Sequence, residues 1–354
     1  MTSSTPDPGS RTRSVALAGV AFVATLLLLF GALNVIRRSD GGAVAAGASA
    51  ATDRPTETRS ATRAAPSTSA SGAPGSPGIS AVPGTSATPS TEVVLVGAGD
   101  IATCDGDGDS ATASLIAGIA GTVFTAGDNA YPNGSADQFR DCYDPTWGQF
   151  RDRTRPAPGN HDWETADLSG YLGYFGSAAA PAGTSWYSYG LGAWHVVVLD
   201  SDCSMVRGCG SASPQGRWLA ADLAASTAIC TLAIWHHPMF SSGVHGNDAE
   251  VAPFWQALYD AGADVVINGH DHDYERFAPQ DPTGRADRVH GIREFVIGTG
   301  GAPLRTFPSN AANSELRLSV AYGVIRLVLH PGSYEWSFIP ATGHVTDSGS
   351  GPCH

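Results

Sequence analysis

The feature that most constrains the fold is a set of short apolar runs that each end abruptly in polar residues. The runs are four to seven residues long, are rich in β-branched side chains, and occupy residues 93–96, 122–125, 194–200, 231–235 and 264–267. Their apolar residues are consecutive rather than alternating, which is typical of strands covered on both faces of a sheet. The pattern therefore predicts a sheet buried between other layers.

Helical segments are predicted between these runs. Ser213 and Pro214 begin one of them, as N-cap and first helical residue, and it extends to about residue 225. A second helix is predicted at residues 252–261. Further strands are predicted towards the carboxyl end, at residues 294–297, 323–329 and 333–338. Alternating strands and helices followed by a strand-rich end indicate a layered α/β or α+β sandwich.

The first part of the chain lacks the pattern of a packed core. Residues 15–33 carry no charge, and a run near 20 apolar residues is long enough to span a bilayer as a helix. We predict a short tip and uncleaved anchor over residues 1–38, with a signal peptide cleaved within residues 43–51 as the alternative. Residues 39–91 are mostly Ala, Ser, Thr, Pro and Gly and are predicted to be a disordered stalk. The remaining residues, 92–354, are predicted to form one domain.

The predicted domain is strongly acidic. It carries 13 arginines, no lysine and 29 acidic residues, a net charge of −16 within a chain whose total is −13. Phosphate backbones are bound mainly by basic patches. Duplex nucleic acid is therefore not expected as a partner, and any membrane contact is expected through the N-terminal segment only.

Six cysteines are all located in the predicted domain. None forms a C-x-x-C pair, so a zinc ribbon or a thioredoxin-type site is not expected, whereas an even number in an exported domain indicates disulfides. Cys203 with Cys209 would close a short loop, and Cys104 with Cys142 is a second candidate pair. Cys230 lies in an apolar run, so a free buried thiol is the alternative there. Six cysteines allow 15 pairings, and the sequence leaves the choice open.

Side chains that can bind metal ions follow the predicted strands, and each of them lies beside a glycine or in a polar loop. The segments are Gly99-Asp100, Gly127-Asp128-Asn129-Ala130-Tyr131, Gly159-Asn160-His161-Asp162, His236-His237-Pro238, His245 and Gly269-His270-Asp271-His272. Ligands of open α/β sheets bind beyond the carboxyl ends of strands. Mixed carboxylate, phenolate, amide and imidazole donors suit Fe, Mn or Zn rather than Ca. His270 and His272, at i and i+2, would leave the same face of an extended loop and could serve two metals.

The ordered motifs resemble those of one known family. The series GD, GDxxY, GNHD, HxP and GHxHxYER resembles the purple acid phosphatase branch of the calcineurin-like metallophosphoesterases, and it covers essentially all of residues 92–354. The wider superfamily has histidine two residues after the first aspartate, where this chain has Ala102. The purple branch similarly lacks it and uses the tyrosine of GDxxY, here Tyr131. The resemblance implies two mixed β-sheets flanked by helices.

The resemblance also implies roles for individual residues. Asp100, Asp128, Tyr131 and His272 would hold a first metal, with Asp128 bridging to a second. Asn160, His236 and His270 would complete the second metal's ligands. His161 would contact phosphate or protonate the leaving group, Asp162 would orient it, and His245 would bind substrate. The branch often has two adjacent histidines at the last position; here Gly246 follows.

Simpler roles are predicted for several neighbouring residues. His237 is read as the residue between ligand and proline, although it could exchange with His236. A solvent-facing loop position is the alternative for His245, and packing beneath the loop is the alternative for Tyr131. His195, inside an apolar strand, is read as a core histidine. The acidic run at residues 105–109 lacks the glycine and glutamate of a calcium loop and is read as a loop that leads into a helix.

The function expected from the resemblance is hydrolysis of small phosphate monoesters by metal-activated hydroxide, with iron paired with iron, zinc or manganese. The alternatives are a phosphodiesterase or nucleotide hydrolase of the same fold, and a non-catalytic cell-surface binding protein. The anchor, the cysteines and the resemblance together predict a single-pass membrane protein with an extracellular catalytic domain, or a secreted one if the signal is cleaved. Substrate identity and oligomeric state are not specified by the sequence.

Overall fold

The structure, a computed structural model, describes residues 92–344 and 347–354. The predicted anchor and stalk lie outside these residues. No helix in the described part of the chain is long and apolar enough to cross a membrane.

Two mixed sheets form the described region. In chain order the strands are β1 (Val93–Ala98), β2 (Thr122–Ala126), β3 (Thr154–Ala157), β4 (Tyr187–Leu191), β5 (Trp194–Val198), β6 (Cys230–Ile234), β7 (Val265–Asn268), β8 (Tyr274–Phe277), β9 (Arg293–Ile297), β10 (Ser314–Leu318), β11 (Gly323–His330), β12 (Ser333–Pro340) and β13 (Asp347–Pro352). The first sheet has the order β13-β12-β11-β1-β2-β3, and the second has the order β10-β8-β9-β7-β6-β5-β4.

Each sheet contains a parallel part that carries the long loops. β1, β2 and β3 are parallel neighbours in the first sheet, and β5, β6, β7 and β9 are parallel neighbours in the second. Antiparallel strands flank both parts. Because parallel strands end at the same edge, the loops after β1, β2 and β3 meet those after β6 and β7. The predicted pair of mixed sheets flanked by helices is confirmed.

Six α-helical segments of the described residues lie between the strands of the two sheets. They are α1 (Gly108–Ala117), α2 (Ala136–Gln138), α3 (Asn160–Trp163), α4 (Ser169–Phe175), α5 (Pro214–Ala225) and α6 (Ala252–Asp260). A single π-helical turn, Phe139–Tyr143, continues α2, and a 3₁₀ segment follows at Trp147–Arg153. The Ser213 hydroxyl accepts the amide of Gly216 at 2.9 Å, so the predicted N-cap of α5 is present.

Aromatic contacts join the faces of the two sheets. Tyr274 on β8 stacks on Phe338 of β12 with ring centroids 4.4 Å apart, and Phe295 on β9 lies 5.6 Å from Trp336 of β12. These side chains are buried and belong to one continuous core. Strand β6 lies inside the second sheet and is buried at all five positions, as its largely apolar sequence predicts.

All six cysteines form disulfides. The pairs are Cys104–Cys142, Cys203–Cys209 and Cys230–Cys353. The two candidate pairs from the sequence are confirmed, whereas the free buried thiol considered for Cys230 is wrong. β13 brings Cys353 alongside β6 across a separation of 123 residues, which local sequence does not reveal.

Candidate metal centre

Four predicted ligands form a first group of donor atoms, called here the oxygen-rich group. The Tyr131 Oη lies 2.8 Å from Asp100 Oδ1 and 2.9 Å from Asp128 Oδ2. His272 Nε2 completes the group at 3.2 Å from the Tyr131 Oη and 3.3 Å from Asp100 Oδ1. Three oxygens and one nitrogen therefore converge on one point.

A second group, called here the nitrogen-rich group, surrounds His236. Its Nε2 lies 3.1 Å from Asn160 Oδ1, 3.2 Å from His270 Nδ1 and 3.2 Å from Asp128 Oδ2. The same oxygen of Asp128 thus belongs to both groups. All seven residues predicted as metal ligands are brought together around it.

The backbone reaches this arrangement through conformations that are uncommon for residues with a side chain. Asp100, Asp128 and His270 have φ of 58°, 51° and 71°. Left-handed backbone outside glycine is sparsely populated and clusters at functional sites. The idea that His270 and His272 share one face of an extended loop is therefore wrong, because His270 is not extended. Its ring joins the nitrogen-rich group while His272 joins the oxygen-rich one.

Glycines allow these loops to pack against each other. A Cβ on Gly159 would lie 2.3 Å from Asp128 Oδ1, and one on Gly127 would lie 2.4 Å from His236 Nδ1. At each position a larger residue would collide with a donor side chain of another loop, so glycine is needed there for packing as well as for the turn.

Backbone carbonyls fix the orientation of two imidazoles. His236 Nδ1 lies 2.9 Å from the carbonyl oxygen of Ala126, and His272 Nδ1 lies 2.9 Å from that of Pro303. A carbonyl oxygen can only accept a hydrogen bond, so both rings carry hydrogen on Nδ1 and present Nε2 to the centre. Histidine ligands of metals are usually held in this way.

The carboxylates of the two groups would be stabilised by additional positive charge, as the pKa values of their neighbours indicate. Burial and the carboxylates of Asp100 and Asp128 raise the pKa of Tyr131 well above its usual range. Burial opposes a charged His236, yet the neighbouring Asp128 and Asp100 outweigh it and raise its pKa to about 10. In both cases a proton is retained where carboxylates crowd together, and a bound cation would replace it.

The spacing of the donors fits metal ions. With metal–ligand bonds of about 2.1 Å, adjacent ligands of an octahedral ion lie about 3.0 Å apart. The donor separations within the two groups run from 2.8 to 3.3 Å. Ligand atoms of Asp100, Asp128 and His236 all lie within 4.8 Å of one another. The donors named in the sequence analysis therefore lie at separations that would suit ligands of a metal ion.

His161 lies beside the shared carboxylate. Its Nδ1 is 2.5 Å from the carbonyl oxygen of Pro132, its Nε2 is 4.0 Å from Asp128 Oδ2, and its ring packs against Tyr131 with centroids 4.6 Å apart. The side chain is 30% exposed, so its Nε2 can meet a substrate. The structure thus places His161 at the mouth of the centre.

Asp162 does not orient His161, contrary to the prediction. It is fully buried and accepts hydrogen bonds from the Asn129 side chain at 2.9 Å and the Gly159 amide at 3.0 Å. The Asn129 amide donates to it as well. One turn of helix α3 directs Asp162 inward and away from the His161 ring. It ties the loop that carries Asp128 to the one that carries Asn160.

His245 lies at the opposite rim. Its ring is 4.2 Å from that of His270, and its Nε2 is hydrogen-bonded to the guanidinium of Arg305. Its amide donates to Asp271 Oδ1 at 2.8 Å. Asp271 and Arg305 were not singled out in the sequence; alternation along His270-Asp271-His272 would have suggested that Asp271 braces the loop from the other side.

His237 and His195 lie outside the two groups of donors. His237 packs behind the centre, with Nδ1 2.8 Å from the Ser201 hydroxyl, and burial lowers its pKa to about 3. His195 Nε2 lies 2.9 Å from Asp222 Oδ2, so it is a paired histidine of the strand and not part of the centre. Residues 105–107 form a loop that leads into α1, and residues 108 and 109 are already the first residues of that helix.

Comparisons with known proteins give consistent results. The family model described as calcineurin-like phosphoesterase matches residues 95–274. An uncharacterized protein of Mycobacterium tuberculosis is 31% identical over 52% of this chain and 42% of its own length. Purple acid phosphatase 15 of Arabidopsis thaliana is 31% identical over 44% of this chain and 32% of its own length.

One solved structure gives the same fold. Purple acid phosphatase PPD1 from yellow lupin seeds superposes with a TM-score of 0.58 and 19% identity, over 74% of this chain and 54% of that one. The chain therefore spans about a third to a half of the length of these purple acid phosphatases and of its mycobacterial relative.

Proposed function

We propose, starting from the chain's membership of the calcineurin-like phosphoesterase family, that the domain hydrolyses small phosphate monoesters at a centre of two metal ions. The observation that carries this proposal is the single oxygen, Asp128 Oδ2, on which two complete groups of donors converge. The resemblance of the ordered motifs to purple acid phosphatases implies such a two-metal centre, and the family match and the relatives named purple acid phosphatase support it. Iron paired with iron, zinc or manganese is the proposed metal content, since the donors are oxygens and imidazoles.

The side chains divide the work between holding metals and handling substrate. The oxygen-rich group would hold one ion and the nitrogen-rich group the other. When bound, two such ions supply an activated water and positive charge for the phosphoryl oxygens. The buried left-handed loops hold the donors in place before substrate arrives, so little reorganisation is needed during reaction.

His161 is proposed as the proton donor to the leaving group. Its Nδ1–H donates to the carbonyl of Pro132, which leaves Nε2 as the only ring atom available to substrate. A proton on Nε2 can then pass to the departing alcohol oxygen.

The location of the domain is proposed from the sequence. We propose that residues 92–354 are displayed outside the cell on the stalk of residues 39–91 and anchored through residues 1–38, or secreted after cleavage. Three disulfides within the described residues support an oxidising compartment.

Hydrolysis with and without metals tests the proposal. The purified full-length protein is stripped with a chelator and assayed on an aryl phosphomonoester and an aryl phosphodiester, before and after iron, manganese or zinc is restored. We expect metal-dependent turnover that is faster on the monoester. Faster turnover of the diester would instead favour the phosphodiesterase alternative. A folded protein that binds two ions and hydrolyses neither compound would favour a non-catalytic surface protein.

A further inference from the structure

A single arginine stands at the rim of the metal centre. The guanidinium of Arg305 is hydrogen-bonded to His245 Nε2, and the His245 ring lies 4.2 Å from the ring of His270. Arg305 is partly exposed, so its remaining N–H groups can reach a bound molecule.

The charge of Arg305 is not neutralised by a neighbouring acid. No carboxylate oxygen of the described residues lies within 4.0 Å of its guanidinium. Among the described residues only Arg140, Arg276 and Arg293 are paired with aspartate or glutamate, and Arg305 differs from the other unpaired arginines in its contact with His245 beside the centre. In a domain with 29 acids and 13 arginines, an arginine that points to the site without an acidic partner is available to an anion.

The backbone around Arg305 fixes it relative to the centre. The Pro303 carbonyl accepts from His272 Nδ1 at 2.9 Å, and the Arg305 amide donates to the His272 carbonyl at 2.9 Å. The segment is therefore attached twice to one proposed metal ligand. The position of the guanidinium is set by the same contacts that position His272.

His245 holds the arginine and does not compete with it. Because a guanidinium can only donate, His245 Nε2 must be the acceptor and carries no hydrogen. His245 therefore cannot donate from Nε2 to a phosphate while this contact persists. The donor to substrate on this side is the arginine, whose planar fork matches two phosphate oxygens.

We propose that Arg305 is the phosphate-binding cation of this site and that it makes the site prefer phosphate monoesters, with two negative charges, over diesters with one. His245 acts as its positioning residue. This inference rests on the proposed function and adds to it the residue that determines the substrate class.

Phosphate binding tests the inference without relying on turnover. Inorganic phosphate is titrated calorimetrically into metal-loaded wild type, Arg305→Gln, Arg305→Lys and Arg288→Gln, all at equal metal content. Arg288 is exposed, so Arg288→Gln removes the same charge away from the centre. Loss of charge-assisted hydrogen bonds should weaken phosphate binding about 10- to 100-fold in Arg305→Gln, and less in Arg305→Lys. Arg288→Gln should remain within about twofold of wild type.

Rates on two esters test the preference. In Arg305→Gln we expect kcat/KM for the monoester to fall about 10-fold or more, and for the diester by less than about threefold. Equal falls for both esters, or unchanged phosphate affinity, would overturn the inference. Loss of metal from Arg305→Gln would also overturn it, since the side chain would then act by supporting His272.

The same experiments separate the inference from the proposed function. A wild-type protein that hydrolyses neither ester but binds phosphate in an Arg305-dependent manner refutes the hydrolase proposal and leaves the anion site standing. Metal-dependent turnover that does not change on substitution of Arg305 supports the hydrolase proposal and refutes the role of Arg305.

Discussion

The two groups of donors differ in charge although they share an oxygen. The oxygen-rich group contributes Asp100 and Tyr131, both of which can be anionic, and one imidazole. The nitrogen-rich group contributes two imidazoles and the amide of Asn160, all of them neutral when they bind a metal. Hard oxygen donors of high negative charge favour an ion of high charge, whereas imidazoles suit ordinary divalent ions. The comparison predicts a tightly held ion in the first group and a more exchangeable one in the second.

Asp128→Asn should have the largest effect, because it changes the one atom that both groups share. The asparagine amide carries no negative charge, so both proposed metal positions would keep only a weaker ligand at this point. We expect kcat/KM to fall by about 1000-fold or more and both ions to bind more weakly, as measured by steady-state kinetics and elemental analysis. Asp137→Asn is the control, since Asp137 is exposed and bonded only to Arg140. Two retained ions and a normal rate would show that Asp128 does not bridge.

Asn160→Ala tests whether the groups can be separated. The substitution removes a ligand from the nitrogen-rich group alone, so we expect about one equivalent of metal to remain and turnover to fall well over tenfold. Asn310→Ala, at an exposed loop position, is the matched control. Loss of both ions together would contradict the separation of the two groups.

Asp162→Asn tests whether the hydrogen bonds of Asp162, which join the loop of Asp128 to the loop of Asn160, support both groups of donors. The carboxylate of Asp162 accepts hydrogen bonds from Asn129 and Gly159. The substituted amide would place its own NH₂ group against one of these N–H donors. Burial and the nearby Asp128 raise the pKa of Asp162 to about 7. Because removal of such supporting contacts usually costs 10- to 100-fold in metal affinity, we expect a loss of about tenfold for each ion in titrations against a chelator. A loss confined to one ion would mean that Asp162 serves only one loop.

The buried strands of the fold could be predicted, whereas its edges could not. β1, β2, β5, β6, β7, β9, β11 and β12 all match predicted runs, because most of the side chains that they turn towards the core are apolar and buried. Four of the five strands that sequence reasoning missed, β3, β4, β10 and β13, are the outer strands of the two sheets. An edge strand is paired on one side only and is partly exposed, so it carries polar residues, glycine or, in β3, a proline.

Which residues gather at the candidate centre could be predicted, but the contacts that each of them makes could not. Short motifs with glycine and a metal-type donor mark the loops that converge at the sheet edges. The left-handed His270, the inward turn of Asp162 and the contact between Arg305 and His245 depend on chain segments far apart in sequence. Arg305 follows His245 by 60 residues and belongs to none of the motifs. Such contacts follow from packing and not from local pattern.

Tyr131→Phe makes the smallest change, and it bears most directly on the difference between the groups. It removes the phenol that donates to Asp100 and Asp128 and that would become an anionic ligand once a cation is bound. If iron occupies the oxygen-rich group, we expect the visible phenolate-to-iron absorption to disappear, two ions to remain and turnover to fall by about tenfold or less. Tyr259→Phe, which removes a phenol bonded to Asp287 outside the centre, should leave the spectrum intact. An unchanged spectrum in Tyr131→Phe with iron bound would exclude Tyr131 as a ligand. Because Asp128 is shared, Asp100 alone would then make the oxygen-rich group more negative than the nitrogen-rich group.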